Sequence, residues 1–188
     1  MKKQLAFFVD AQRCIGCFTC AMACKNQYHQ DPGIKWRDVH PLGPEDYPLT
    51  ERAFYSLACM HCEKPACLAA CPVNAYYKRD DGIVVLDRNK CVGAKYCVTA
   101  CPYGAPKFNV RFGKSEKCEF CFQRQDAGLK PACIHGCPTG ALQIVDLATF
   151  KEQGTVHYPP GFAQAQTNPS IRFRIATVPK ISERKKQD

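Results

Sequence analysis

The sequence lacks the long apolar runs, export signals and catalytic motifs that would mark a membrane-spanning, secreted or enzymatic protein. None of its 188 residues falls in the run of about 18 apolar residues that a membrane-spanning helix requires. The start of the chain, residues 1–10, is too short for a secretory leader and runs directly into the cysteine cluster that begins at Cys14, and no twin arginine precedes this cluster. No glycine-rich phosphate loop, Ser–His–Asp combination or supported carboxylate pair is present. We therefore expect no signal peptide, no transmembrane segment and no direct small-molecule substrate.

Acidic residues are scarce relative to basic ones, since 17 Asp and Glu face 26 Lys and Arg for a formal net charge of +9. Such an excess favours nucleic-acid binding. The sum, however, counts all fifteen cysteines as neutral, and they make up about 8% of the chain. Metal-bound thiolates would add negative charge and remove most of the excess. The sequence therefore predicts no nucleic-acid partner.

The cysteines fall into four groups whose spacing indicates iron–sulfur clusters. The first group is spaced C-x2-C-x2-C-x3-C, and proline follows the last cysteine of the other three. This is the bacterial ferredoxin pattern, in which three thiolates of a tight loop bind one [4Fe–4S] cluster and the fourth reaches its neighbour. The groups contain, in order, Cys14, Cys17, Cys20 and Cys24; Cys59, Cys62, Cys67 and Cys71; Cys91, Cys97 and Cys101; and Cys118, Cys121, Cys133 and Cys137.

Disulfides and zinc are the competing uses of these cysteines. Disulfides require an oxidising compartment and an even cysteine count, whereas the chain has fifteen. Zinc also uses C-x2-C pairs, but it needs two pairs per site. Ferredoxin-like runs that end in Cys-Pro fit this requirement poorly. A zinc-based interaction module therefore stays an alternative of lower rank.

Group three has alanine at position 94, where comparison with group one predicts cysteine. Alanine has no metal-binding atom, so Cys91, Cys97 and one cysteine from another group are left as ligands. Three thiolates predict a [3Fe–4S] cluster. The alternative is a [4Fe–4S] cluster whose fourth iron carries water, hydroxide or another side chain. The expected cofactors are thus three [4Fe–4S] clusters and one [3Fe–4S] cluster, or four [4Fe–4S] clusters.

The alternation of cysteine groups with short strand patterns predicts an α+β fold of two nested 2[4Fe–4S] ferredoxin-like modules with loop-rich insertions. Group two leads directly into group three, which favours a second module over residues 51–112. Groups one and four then form the first module from residues 1–50 and 113–150. Pairing group one with two and group three with four is less favoured. Strands are expected at 5–9, 83–86 and 141–145, and helices at 20–29 and 147–153.

The nested pairing predicts four ligand sets. They are Cys14, Cys17, Cys20 and Cys137 for cluster 1; Cys118, Cys121, Cys133 and Cys24 for cluster 2; Cys59, Cys62, Cys67 and Cys101 for cluster 3; and Cys91, Cys97 and Cys71 for cluster 4. Residues 30–50 are rich in proline, glycine and charge and are expected to form an irregular insertion. Residues 151–188 are expected to form an extended tail, either solvated or, as we favour, an arm along a partner.

Several motifs give the run from Phe7 to Val145 a family resemblance. They are DAQRCIGC at 10–17, CMHCEKPAC at 59–67, KRDDG at 78–82, ACPYGAP at 100–106 and KCEFC at 117–121. The run resembles the four-cluster iron–sulfur subunit of the molybdopterin oxidoreductases, such as dimethyl sulfoxide reductase. Polysulfide, thiosulfate and nitrate reductases have similar subunits. At Ala94 the chain departs from the dimethyl sulfoxide reductase pattern and is similar to nitrate reductase, which has a [3Fe–4S] cluster there.

The resemblance implies a non-catalytic electron-transfer subunit. It would relay single electrons between a large molybdopterin subunit, with molybdenum or tungsten, and either a quinone-active integral membrane subunit or a soluble donor. The chain would then be associated with the membrane through its partners, on either side of the membrane. The alternative is a free polyferredoxin that serves a hydrogenase or a formate dehydrogenase.

Overall fold

A computed structural model describes residues 3–42, 53–158, 162 and 164–175. Short helices and small sheets alternate along the chain, in an α+β arrangement. The helices are α1 (Thr19–Gln27), α2 (Ala66–Ala69), α3 (Tyr96–Ala100), α4 (Phe122–Asp126) and α5 (Ala132–His135). The strands are β1 (Leu5–Asp10), β2 (Asp38–Leu42), β3 (Ala53–Leu57), β4 (Tyr76–Lys78), β5 (Val84–Leu86), β6 (Lys107–Asn109), β7 (Lys114–Glu116), β8 (Leu142–Asp146), β9 (Thr155–Val156) and β10 (Ile171–Arg174). Over these residues, every helix is too short or too polar to cross a membrane.

The largest sheet joins the two ends of the described chain, in the strand order β8-β1-β10-β9. Its central strand, β1, runs antiparallel to β8 and parallel to β10. A strand that is covered on both faces needs apolar side chains at consecutive positions. The sequence AFFV inside β1 meets this need, and these four residues are buried. The sheet therefore holds the strand before group one beside the strand after group four.

The remaining strands form three antiparallel hairpins, β2-β3, β4-β5 and β6-β7. In the second of them the Asp81-Gly82 turn requires glycine, because Gly82 has a φ of +85° and a Cβ there would meet the Gln4 side chain at 2.3 Å. Helix α1 packs on α5, and α2 packs on α3. The helices that carry groups one and four are thus neighbours, as are those that carry groups two and three.

Cysteines occupy much of the interior. The larger core surrounds β1 and β3 and includes Phe7, Met60 and Phe173, and a smaller core surrounds Tyr76 and Leu86. Seven thiol side chains belong to these cores: Cys20, Cys24, Cys59, Cys118 and Cys133 in the larger, and Cys67 and Cys97 in the smaller. Thiols therefore take positions that aliphatic side chains fill in an ordinary domain of this size.

The expected strands at 5–9, 83–86 and 141–145 and the expected helix at 20–29 agree with β1, β5, β8 and α1. The expected helix at 147–153 is wrong, because residues 147–149 form a turn. The Asp146 carboxylate accepts hydrogen bonds from the backbone N–H groups of Ala148, at 3.0 Å, and Gln4, at 3.1 Å. It therefore ties the turn to the start of β1.

Residues 30–50, expected to be irregular, contain β2. Trp36, Arg37 and Val39 are buried there, while residues 43–50 lie outside the described residues. The charged and proline-rich composition of this segment gave no indication that a few of its side chains are buried in the core.

The structure also differs from the expected tail over 151–188. Strand β10 adds to the main sheet, and its alternate residues Ile171 and Phe173 are 1% and 0% exposed. Alternation over four residues is too short to distinguish a strand from a solvated tail in a segment rich in proline and glycine. Strand β10 is therefore part of the core, and residues 176–188 lie outside the described residues, where the expected partner arm stays a prediction.

The Phe173→Ala variant is expected to lower the free energy of unfolding by about 3–5 kcal/mol, because it leaves a cavity in the larger core beside Val9 and Tyr55. Thermal unfolding followed by circular dichroism measures the change. Gln166→Ala is the matched control, since Gln166 is exposed in the same segment. Equal stability of the two variants would mean that β10 does not contribute to the core.

Candidate metal-cluster sites

The loop of group one has an unusual backbone with positive φ on both sides of Cys17. Gly16 has a φ of +69°, and a Cβ there would lie 2.8 Å from the Phe54 ring. Phe18 also has a positive φ, +59°, and α1 begins at the next residue. A tight turn of this kind lets consecutive short-spaced cysteines face one centre.

The first cavity is lined by Cys14, Cys17, Cys20 and Cys137, the set predicted for cluster 1. Its other walls are mostly apolar and include Val9, Val39 and Leu142. Two hydroxyls lie at hydrogen-bonding distance from the sulfurs: Thr19 Oγ1 is 3.3 Å from Cys17 Sγ, and Ser56 Oγ is 3.2 Å from Cys20 Sγ. The hydrogen bond from Thr19 lowers the pKa of Cys17.

The thiols predicted for cluster 2 lie deeper. Burial, with smaller contributions from the nearby Cys133 and Cys121 thiols, raises the pKa of Cys24 to about 12, and Arg37 opposes this shift. Burial likewise raises the pKa of Cys118, with contributions from Cys24 and Cys133. Helix α1 places Cys24 one turn after Cys20 of the first set. The structure thus brings the four predicted thiols together next to the first cavity.

The thiols predicted for cluster 3, Cys59, Cys62, Cys67 and Cys101, also line a cavity, which is called the third cavity to match the cluster number. Burial raises the pKa of Cys62 to about 11 and that of Cys67 to about 12. Such thiols hold their protons at neutral pH, and a bound cationic core would have to displace them.

The fourth cavity is lined by Cys71, Cys91, Cys97 and Ala94. The backbone N–H of Ala75 donates to Cys71 Sγ at 3.3 Å, and that of Ser115 donates to Cys91 Sγ at 3.5 Å. All three thiols predicted for cluster 4 are therefore present around this cavity.

The loop around Ala94 has the same backbone shape as the group-one loop. Gly93 and Lys95 have φ values of +75° and +62°, and α3 begins immediately afterwards. In group one the residue between the two positive-φ positions is Cys17. Ala94 thus occupies the position that Cys17 has in the group-one loop. The two loops align residue by residue, so no other residue of the group-three loop is moved into the ligand position.

The four thiol sets follow one another through the interior. The Cys59 thiol of the third set contributes to raising the pKa of Cys118 in the second. Burial raises the pKa of Tyr76, and the thiols of Cys97, Cys67 and Cys59 raise it further. Tyr76 therefore lies between the third set and the fourth. The sets form a series from the first cavity to the fourth.

Cysteine spacing missed the polar residues that contact the sulfurs from other elements. Ser56 reaches Cys20 from β3, and the Gln30 Nε2 donates to Cys24 Sγ at 3.4 Å. Arg37 is 2% exposed among the thiols of the first two sets. The one available sign was Trp36, the single tryptophan of the chain, because a large apolar residue in a polar segment suggests local burial.

The donor chemistry of all four sets fits iron–sulfur clusters. The side chains are thiols, which bind iron as soft thiolates, and N–H or O–H groups lie beside several of the sulfurs. Three of the sets line cavities whose other walls are mostly apolar. In the described part of the chain, no three His, Cys, Asp or Glu side chains converge closely enough to hold a single metal ion. Three of the sets surround a cavity instead, which is the arrangement that a multi-iron group requires.

Comparison with known proteins gives matches to iron–sulfur proteins. The family described as "4Fe-4S dicluster domain" matches residues 50–147. One polypeptide of the anaerobic dimethyl sulfoxide reductase of Escherichia coli K12 is 41% identical over 152 residues, covering 77% of this chain and 74% of the relative. The thiosulfate reductase electron transfer subunit of Salmonella typhi is 38% identical over 147 residues, covering 77% of each. One subunit of the tetrathionate reductase of Salmonella typhimurium is 38% identical over 148 residues, covering 78% of this chain and 59% of the relative.

Proposed function

Because this protein belongs to the family of iron–sulfur subunits of dimethyl sulfoxide, tetrathionate and thiosulfate reductases, we propose that it relays single electrons within such a reductase complex. It is an electron-transfer subunit rather than the catalytic one. Its proposed partners are a molybdopterin catalytic subunit and either a quinone-active membrane subunit or a soluble donor. Its place at the membrane would then come from these partners.

The observation that carries the proposal is the series of four adjacent thiol sets. When bound, iron–sulfur clusters accept and donate one electron at a time. The chain would hold clusters 1 to 4 with the four ligand sets given above. The residues around the thiols exclude water and donate hydrogen bonds to sulfur, and both effects set reduction potential.

The fourth site is proposed to hold a [3Fe–4S] cluster, while the other three hold [4Fe–4S] clusters. Among the described residues, three thiols line the fourth cavity, and the Ala94 methyl group stands where the group-one loop has a cysteine. A cluster with one iron fewer needs one thiolate fewer.

We also propose that the sets belong to two nested modules, residues 1–50 with 113–150 and residues 51–112. The packing of α1 on α5 and of α2 on α3 supports this division. Exposed apolar side chains flank the two ends of the series, Ile15 and Met22 near the first site and Val92 and Tyr96 near the fourth. Exposed apolar groups of this kind are typical of protein interfaces. The first end would face the catalytic subunit and the fourth end the electron donor.

Electron paramagnetic resonance of the anaerobically purified protein tests the proposal. We expect a [3Fe–4S] signal in the oxidised protein and interacting [4Fe–4S] signals after reduction with dithionite. Gel filtration of the native complex is expected to show one large subunit in stoichiometric association. Zinc without iron would overturn the proposal, and four clusters in a protein that binds no partner stably would instead support a free polyferredoxin.

A further inference from the structure

Arg37 is a buried cation at the start of the β2-β3 hairpin. Its side chain is 2% exposed, and its guanidinium carbon lies 4.3 Å from the centre of the Phe7 ring. The Nη1 group donates to Ser56 Oγ at 2.9 Å. Ser56 Oγ in turn lies 3.2 Å from Cys20 Sγ. Arg37 is thus connected to the first thiol set through one hydroxyl.

No carboxylate forms an ion pair with Arg37 among the residues that the structure describes. Its Nε and Nη2 groups also have no hydrogen-bond partner in that part of the chain. Arg174 shows the usual alternative, since it meets the buried Asp10 carboxylate at 2.5 Å. A guanidinium cannot lose its proton in a protein and is costly to bury without a counter-charge. The position of Arg37 therefore requires negative charge from another source.

The groups around Arg37 that would carry this charge, once they bind a cluster, are thiols. Burial lowers the pKa of Arg37, and Cys133, Cys118, Cys20 and Cys24 oppose this effect strongly enough to raise the pKa overall. Cys20 belongs to the first set, and the other three belong to the second. Arg37 accordingly lies between two proposed cluster sites and faces both.

We propose that Arg37 is a positioning residue for electron transfer that holds a fixed positive charge between the first and second cluster sites and raises the reduction potential of both. The inference rests on the proposed function, in which each site takes up one electron and becomes more negative by one charge. A nearby cation stabilises that added charge, and at low effective dielectric the effect is strong. No proton accompanies the electron at this residue, because the guanidinium stays charged in both states.

The competing explanation is purely structural: Arg37 would only link the two sides of the hairpin through Ser56 of β3 and pack on the Phe7 ring. The two explanations differ in what a neutral side chain of similar length does. Loss of a structural contact lowers stability and leaves the potentials of intact clusters unchanged. Loss of the charge moves two potentials and leaves the others nearly constant.

Arg37→Met and Arg37→Lys are the variants for the test, in the full-length protein purified anaerobically with its clusters. A potentiometric titration followed by electron paramagnetic resonance measures the potential of each component. In Arg37→Met we expect the reduction potentials of two clusters to become more negative. At the midpoint potential of the parent protein, the ratio of reduced to oxidised cluster would then fall about tenfold. For a one-electron couple this is about 59 mV. Arg37→Lys keeps a cation and is expected to stay closer to the parent. Arg111→Met removes an exposed cation as the matched control.

The outcomes separate the explanations even if a variant loses iron. Iron lost from Arg37→Met but retained by Arg37→Lys supports a requirement for charge. Iron lost equally from both, or unchanged potentials in an iron-replete Arg37→Met, overturns the inference. A parent protein without iron would overturn the proposed function itself, so the two failures are distinguishable.

Discussion

The Ala94→Cys variant is expected to lose the oxidised-state [3Fe–4S] signal and to gain iron, from about 15 to about 16 atoms per molecule by ligand counting. The loop around Ala94 already has the backbone of a ligand loop, with positive φ at Gly93 and Lys95. A cysteine there would meet Cys71, Cys91 and Cys97 at one cavity. Four thiolates then hold a [4Fe–4S] cluster, whose potential is expected to be lower.

Iron analysis and potentiometric electron paramagnetic resonance measure this change, with Ala94→Val as the control. Valine adds volume but no ligand atom, so its oxidised signal should resemble that of the parent. An unchanged spectrum and potential in Ala94→Cys would show that position 94 does not face the cluster. If neither the parent nor the valine variant shows an oxidised-state signal, the fourth site holds a four-iron cluster with a non-cysteine ligand.

Removal of the clusters is expected to abolish the tertiary structure. Seven thiols are part of the two cores, and short helices such as α2 and α5 cannot bury a large apolar surface by themselves. The metal-bound state is then also the folded state, as in other small metalloproteins. Without iron, the buried thiols with pKa values raised to about 11 or 12 would be neutral at pH 7 and would leave Arg37 without a counter-charge.

Oxidation with ferricyanide in the presence of a chelator removes the clusters for this measurement. We expect the near-ultraviolet circular dichroism to vanish and the hydrodynamic radius on gel filtration to increase. Anaerobic reconstitution with ferrous iron and sulfide should restore both, which controls for irreversible damage. An iron-free protein with the parent's radius and near-ultraviolet spectrum would contradict the prediction.

Part of the formal charge of +9 lies inside the protein. Arg37 is buried between thiols, and Lys117 is 1% exposed. Lys117 Nζ donates to the carbonyl groups of Val84 and Cys118, and its charge lowers the pKa of Cys67 against the effect of burial. Bound clusters would place negative charge beside these two cations.

The proposed binding of clusters could be predicted from the sequence, because most of the cysteines of one ligand set lie close together along the chain. Thiols two or three residues apart in a tight loop face one centre, so the spacing of Cys14, Cys17 and Cys20 indicates a cluster without knowledge of the fold. The absence of a ligand at Ala94 could be predicted for the same reason. Apolar runs around 5–9 and 141–145 likewise located the strands β1 and β8.

Only the tertiary structure decided which distant residues surround these centres. Strand β10 pairs with β1 across more than 160 residues, from Phe7 to Ile171, and nothing in its four residues specifies that partner. The place of Arg37 among the thiols likewise depends on how the β2-β3 hairpin packs. Local spacing determines which atoms can bind a cluster, whereas burial and charge depend on contacts that the chain makes only when it is folded. The thiols that are proposed as ligands could therefore be identified in the sequence, and the residues that are proposed to tune them could not.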